Sequence, residues 1–257
     1  MNRIIIENDE IIKSDIIYNY KRKENTFEIS ELILDINNND DIYLNINNND
    51  SKLIINFNIK DNIKLNLVII NKCCNSKIQY KYNLGKNAIC NIEKLNIVSS
   101  IREMIIANLD SSSNFNYIHK SIAISKENYD YMIYHNGINS NSNIINNSVN
   151  EQGSIYYQIS SFIPKNINGC TANQFNRIIN NTDNNCEIRP NLYIDCDDVT
   201  ANHSALIDKF SNSELFYLES KGIDKDTSIK MLTKGFLLSN IKNKEIIDII
   251  NNRFGGE

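Results

Sequence analysis

The sequence predicts a mostly β chain that closes with a small α-helical tail, and three observations carry that expectation. From Asp41 onward, apolar residues alternate with Asn, Tyr and Lys at every second position. The alternating runs are short and are separated by clusters of Asn, Asp, Lys and Gly. Past residue 208 the apolar spacing changes from two residues to that of a helix.

The opening segment, residues 1–40, is mixed in character. Ile11, Ile12, Ile16 and Ile17 fit a short helical stripe, but the abundance of Ile leaves helix and strand undecided there. In residues 41–208, Ile42, Leu44 and Ile46 alternate with Tyr43, Asn45 and Asn47. The runs Leu53 to Ile59 and Ile63 to Ile69 keep the same beat. Strict alternation turns one face to a core and the other to water, as a half-buried strand requires. The breaks, among them Lys60-Asp61-Asn62 and Leu84-Gly85-Lys86-Asn87, use residues that tolerate left-handed or Asx-turn geometry. Short strands of this kind suit a sandwich, a barrel or a β-solenoid alike. No crisp repeat motif is legible, and the many asparagines read as solvated turns and composition bias rather than as inward ladders.

The tail, residues 209–257, carries helix signals. Ser211 or Asn212 caps a helix beginning at Ser213-Glu214, with a carboxylate in its first turn where the helix dipole favours it. Lys221 and Gly222 end it. Asp224 caps a second helix with Ile229, Leu232 and Phe236 at helical spacing, and Lys244 to Arg253 form a third.

Composition narrows the partners. Among 257 residues, 27 basic and 31 acidic side chains give a net charge of -4, and no Lys/Arg run could neutralise a row of phosphates, so nucleic acid is not expected. No apolar run approaches the roughly 18 residues of a membrane span, and Met1 to Asn8 is too quickly charged for a secretory signal. A cytoplasmic chain without a membrane partner is expected. The six cysteines lack CxxC spacing and read as thiols.

Little in the sequence suggests catalysis. A Gly-rich phosphate loop, a Gly-x-Ser-x-Gly elbow and a His-Glu-x-x-His helix are all missing, so neither an enzyme nor a nucleotide site is expected. His119 and His135 have no partners at ligand spacing. Asp197 and Asp198, as neighbours, face opposite ways and read as a turn pair. Cys73, Cys74, Cys90 and Cys170 read as structural.

One ordered run stands apart: Arg189-Pro190-Asn191-Leu192-Tyr193-Ile194, then Asp197-Asp198-Val199, His203-Ser204-Ala205, and Glu214-Leu215-Phe216-Tyr217-Leu218-Glu219-Ser220-Lys221-Gly222-Ile223. With Gln174-Phe175-Asn176-Arg177 upstream and Gly235-Phe236 downstream, it resembles the core of the SufB/SufD family, paired scaffolds on which iron-sulfur clusters are assembled beside an ABC-type ATPase. The resemblance implies a right-handed parallel β-helix, with Ser99 to Ile163 supplying further coils, and a helical tail that docks a SufC-type ABC ATPase. Phe216, Tyr217, Gly222, Ile223, Gly235 and Phe236 are the docking candidates it indicates. Packing between the helices is the plainer use for Leu215, Phe216, Leu218, Leu232 and Phe236.

The resemblance also implies pairing with a homologous SufB/SufD-type subunit, or with a second copy, around a transient iron-sulfur cluster. His203 matches a histidine of SufD-type members and is the leading metal candidate. Cys196, just before Asp197, and Cys186, near the strand where SufB-type members keep a cysteine, join it, since thiolates ligate such clusters. Ser204 stands where SufB-type members have an acid, which points to a SufD-like chain, and Ala201 stands where some SufD-type members carry cysteine. The alternative is a regulatory β-solenoid that binds the ATPase and hosts no cluster. The chain is short for the family.

Overall fold

The computed structural model describes residues 1–8, 10–22 and 30–255. Its strands begin with β1 (Asn2–Glu7), β2 (Glu10–Ser14), β3 (Asn19–Arg22), β4 (Ser30–Ile36), β5 (Asp40–Asn47), β6 (Lys52–Ile59), β7 (Lys64–Asn71) and β8 (Ser76–Leu84). They continue through β9 (Ile89–Asn96), β10 (Ile101–Leu109), β11 (Asn114–Ala123), β12 (Lys126–His135), β13 (Asn141–Asn150), β14 (Ser154–Ile163), β15 (Cys170–Asn180), β16 (Glu187–Ile194) and β17 (Val199–Asp208). Three helices follow: α1 (Asn212–Glu219), α2 (Lys225–Leu238) and α3 (Lys244–Arg253).

From β4 onward the strands enter two sheets alternately, so each coil adds one strand to each sheet. Sheet A runs β17-β15-β13-β11-β9-β7-β5-β1-β2 and sheet B runs β16-β14-β12-β10-β8-β6-β4-β3. All pairings are parallel except β1 with β2 and β3 with β4 at the amino-terminal end. The protein is a parallel β-solenoid with a helical tail. Residues 1–40 already contribute to both sheets, since β1 pairs with β5 and β4 with β6. Ile11 and Ile12 lie in strand β2 rather than in a helix, because β1 offers its edge to them.

The sequence hides a repeat that the register exposes. From Asp41 to Asn116, stacked residues are 25 apart: Asn66 Nδ2 donates to Asp41 Oδ1 (2.7 Å), Asn91 to Asn66 (2.8 Å) and Asn116 to Asn91 (2.9 Å). A second ladder climbs sheet B, with Asn58 donating to Asp35, Asn83 to Asn58 and Asn108 to Asn83. Some asparagines therefore form ladders that are not inward, while others occupy the turns as the sequence suggests. These two ladders run up the outer faces, each starting on a carboxylate. Farther along, the offset lengthens to 27, 29 or 30 residues, which blurs the pattern in the sequence.

One corner repeats as well. Asn62, Asn87, Ser112, Asn139 and Asn166 all hold positive φ, between 55° and 69°. Asn favours this region because its short polar side chain bonds locally. Successive turns there stack through their backbones, as in Asn87 N to Ser111 O (3.0 Å) and Ser112 N to Ile138 O (2.8 Å).

The lumen holds the main core, including Ile55, Phe57, Tyr80, Tyr82, Phe115 and Tyr117. A second core lies outside it. Val68, Ile70, Leu95, Ile122 and Val149, on the outer face of sheet A, are covered by Leu237, Ile241, Ile246 and Ile250 of the tail. Polar ties fix the cover: Glu93 accepts from the backbone N–H groups of Lys242 (3.0 Å) and Asn243 (2.8 Å) at the start of α3, and Arg253 pairs with Glu151 (2.6 Å). Among the described residues no helix is long and apolar enough to cross a membrane.

Candidate functional site

The last coil is open. On β17, Val199, Ala201, His203, Ala205 and Ile207 stack on the buried Cys170, Ala172, Gln174, Asn176 and Ile178, so they point inward, yet nothing follows to cover them. Ile178 is fully buried while Ile207, one rung later, is 40% exposed. The two edges at this end differ. On sheet B, β16 carries Pro190, which lacks an N–H for a further ladder, and the ion pair Arg189–Glu187 beside it. On sheet A, β17 runs from Val199 to Ile207 without proline or charge.

His203 sits midway along this edge. Beneath it, buried Gln174 donates to Ser161 (2.9 Å) and to Asn191 O (3.2 Å), while its Oε1 has no hydrogen-bond partner among the described residues. Cys196 lies in the turn before β17, its Sγ 2.8 Å from Asn168 Oδ1. At about 3.3 Å rise per residue, the four residues from Val199 to His203 alone separate the two by roughly 13 Å. Cys186 occupies the opposite corner, between β15 and β16, where Asn150 Nδ2 approaches its Sγ at 3.4 Å and burial pushes its pKa up. The three candidates thus share the final coil but do not converge. Among the described residues no three His, Cys, Asp or Glu side chains form a metal-holding group.

The tail presents a second surface. The Ser211 hydroxyl accepts from Glu214 N (3.2 Å) and the Glu214 carboxylate accepts from Ser211 N (2.8 Å), a capping box that starts α1 and holds the Glu214 carboxyl below its usual range. Gly222, at φ 84°, closes it with N–H to Glu219 O (2.9 Å). Helix α1 buries no residue, and Phe216 and Tyr217 are 72% and 62% exposed. Gly222 and Gly235 are exposed and Ile223 is half-buried. Phe236 instead turns to the solenoid, where the Arg177 guanidinium lies 5.4 Å from its ring. A Cβ added at Gly235 would meet nothing within 4 Å, so no contact inside this chain requires glycine there. Gly235 borders an open groove shared with Phe175, Leu206, Met231 and Phe236.

Sequence reasoning missed a third feature, a polar group in the lumen. Lys94 and Glu103 form an ion pair with both side chains 0% exposed. Asn96 Nδ2 donates to Tyr129 OH (2.9 Å), Tyr129 OH to Glu127 (2.9 Å), and Ser121 also bonds Glu127. His119 Nδ1 meets Tyr157 OH (3.0 Å) and Tyr131 OH (3.3 Å). A signal existed: Lys94 and Glu103 fall on the inward beat of their strands, with Cys90 and Ile92, and with Ile101 and Ile105.

Burial raises the Glu127 carboxyl from 4.5 to about 8, against the lowering hydrogen bonds of Ser121 and Tyr129. The folded chain therefore holds a proton that the unfolded chain has released. Its stabilising share is complete below about pH 4.5 and is lost as pH rises through 8. Melting of wild type and Glu127→Gln across this window should show the variant gaining relative stability toward pH 8. A difference independent of pH would contradict the assignment.

Comparison with known proteins agrees with this architecture. Residues 52–236 match the family model described as SUF system FeS cluster assembly, SufBD core domain. A stretch of 72 residues is 36% identical to the chloroplastic protein ABCI7 of Arabidopsis thaliana, covering 27% of this chain and 15% of that protein. Another of 101 residues is 31% identical to an iron-sulfur cluster assembly SufBD family protein of Mycobacterium bovis, covering 38% and 12%. A comparable protein of Mycobacterium leprae is 30% identical over 105 residues, 40% of this chain and 12% of its own length. The matched stretches span only a small part of these relatives.

Proposed function

Because the chain belongs to the SufB/SufD family of iron-sulfur cluster assembly proteins, we propose that it is a scaffold subunit working through two surfaces. The open edge β17 pairs with a homologous SufB/SufD-type subunit or a second copy of this chain. The helical tail docks a SufC-type ABC ATPase. The nascent cluster, as cargo, is received at the subunit interface beside His203.

The observation that carries this reading is the uncharged, proline-free edge of β17. An exposed strand edge that runs from Val199 to Ile207 without charge or proline and has no strand beyond it invites pairing, and proteins normally blunt such an edge or cover it. Separation of His203, Cys196 and Cys186 fits an interface, where a second chain supplies the remaining ligands. The same separation also favours the second reading, a regulator that binds the ATPase and carries no cluster.

Two experiments test these claims. In anaerobic reconstitution with iron and sulfide, the scaffold reading expects cluster absorption that weakens in His203→Ala and Cys196→Ala. Cluster spectra unchanged by both substitutions count against the scaffold reading at His203 and Cys196, and absence of cluster absorption in the wild type favours the regulator. For docking, Phe216→Arg and Gly235→Arg are expected to weaken the ATPase complex by about 2 kcal/mol or more, roughly 30-fold. Gly235→Ala should instead raise the stability of the free chain by up to about 1 kcal/mol. Unaltered ATPase affinity in both Arg variants would remove the tail from the interface.

A further inference from the structure

The 25-residue offset builds a feature that no stretch of sequence shows. Lys52, Lys77 and Arg102 stand in register on β6, β8 and β10, all on the outer face of sheet B. At about 4.8 Å between strands, they form a row of cations about 10 Å long. Lys126, two residues before the partner of Arg102, continues the strip onto the next coil. Like charges directly opposite each other destabilise a sheet. Among the described residues, neither Lys77 nor Arg102 belongs to an ion pair. Beside the row runs the column Ile54, Gln79 and Met104, which ends on Glu31 below and Asp130 above, and a shallow groove of about 230 Å³ lies between column and row.

We propose that this groove docks an amphipathic helix of a partner protein, laid along the solenoid axis, with an acidic residue at each turn facing the cations and apolar residues against Ile54 and Met104. Spacing selects a helix. Its pitch of about 5.4 Å carries carboxylates over about 10.8 Å in two turns, within roughly 1 Å of the cation row. Same-side residues of an extended peptide, about 6.6 Å apart, would overshoot by roughly 3.6 Å across the same three coils. The tail covers sheet A, so the groove stays accessible in the arrangement proposed above and does not depend on it.

The test uses the full chain and a fluorescein-labelled, Ala-rich helical peptide of about five turns with Glu once per turn and Leu beside each Glu. Fluorescence anisotropy is expected to show binding that weakens at least about tenfold in Lys77→Glu/Arg102→Glu and with added salt. Lys81→Glu, on the same face but outside the row, is expected to bind like wild type, and a peptide with Gln for Glu is expected not to bind. The double Glu variant keeps like charges opposite each other, so its melting temperature is expected to stay near that of wild type, whereas Lys77→Gln/Arg102→Gln removes the repulsion and is expected to leave it unchanged or raised at low salt. Should the double Glu variant unfold, Lys77→Gln/Arg102→Gln provides the same readout. Equal binding by wild type and the charge-altered row overturns the proposal. So does absence of peptide binding alongside binding of polyphosphate or a single-stranded oligonucleotide to these residues.

Discussion

Lys94→Met is expected to destabilise the protein by about 3–5 kcal/mol, lowering its melting temperature on the order of 10 °C. Lys94 and Glu103 are both sealed in the lumen, and the Lys94 ammonium also lies 4.2 Å from the centre of the Tyr80 ring. Removing the cation leaves the Glu103 carboxylate with only Asn96 (3.3 Å) and Tyr117 (3.3 Å) as donors, in a region shared with the Glu127 carboxyl. Adding Glu103→Leu should recover most of the loss, since replacing a whole buried pair by apolar side chains is often neutral or stabilising. Denaturant titration of the two singles and the double measures the coupling. A Lys94→Met cost below about 1 kcal/mol would show that the pair is not what keeps Glu103 inside.

Gly137→Val is expected to cost about 3 kcal/mol, the upper part of the range for overpacking. A Cβ at Gly137 would lie 2.0 Å from Ser111 N and 2.6 Å from Asp110 C, both backbone atoms of the turn one coil below. No side-chain rotation relieves such a clash, so the two turns must part. Parting them strains Gly137 N to Leu109 O (3.1 Å) and Ser112 N to Ile138 O (2.8 Å). Hydrogen exchange should then accelerate at the amides of Ser112 and Gly137 more than at Asn62 and Asn87, which belong to the same corner farther down. Uniform acceleration would mean that the corner does not open locally.

The fold was legible where one face is wet. Ile42 to Asn47, Leu53 to Ile59 and Ile63 to Ile69 largely coincide with β5, β6 and β7, and Asp224 caps α2 through Thr227 N (3.0 Å) as its position suggested. The signals failed where both faces are covered. Leu67-Val68-Ile69-Ile70 breaks the alternation because the tail lies over Val68 and Ile70. Lys94, Glu103 and Glu127 defeat composition-based reading, since Lys94 and Glu103 find each other across two strands and Glu127 takes Ser121 from a neighbouring strand as well as Tyr129 from its own. The basic row was invisible for a related reason: its members are 25 residues apart and only the stacking joins them. At the candidate site, the order of residues singled out His203, Cys186 and Cys196, and the register places His203 at mid-strand with Cys186 and Cys196 at opposite corners.

The outer amide ladders also give the rod a direction. As far as Asn108 and Asn116, each rung of these two ladders hands its amide hydrogens down to the rung before it, whereas inside β13 Asn146 and Asn150 donate up to Asn176 and Asn180. In a stack whose units touch only their neighbours, such one-way bonding means that each rung is completed by its predecessor. Pulled from its carboxyl end, the molecule should first release the tail that bridges several rungs of sheet A and then peel in a train of small, similar force peaks, while the lower rungs stay wound.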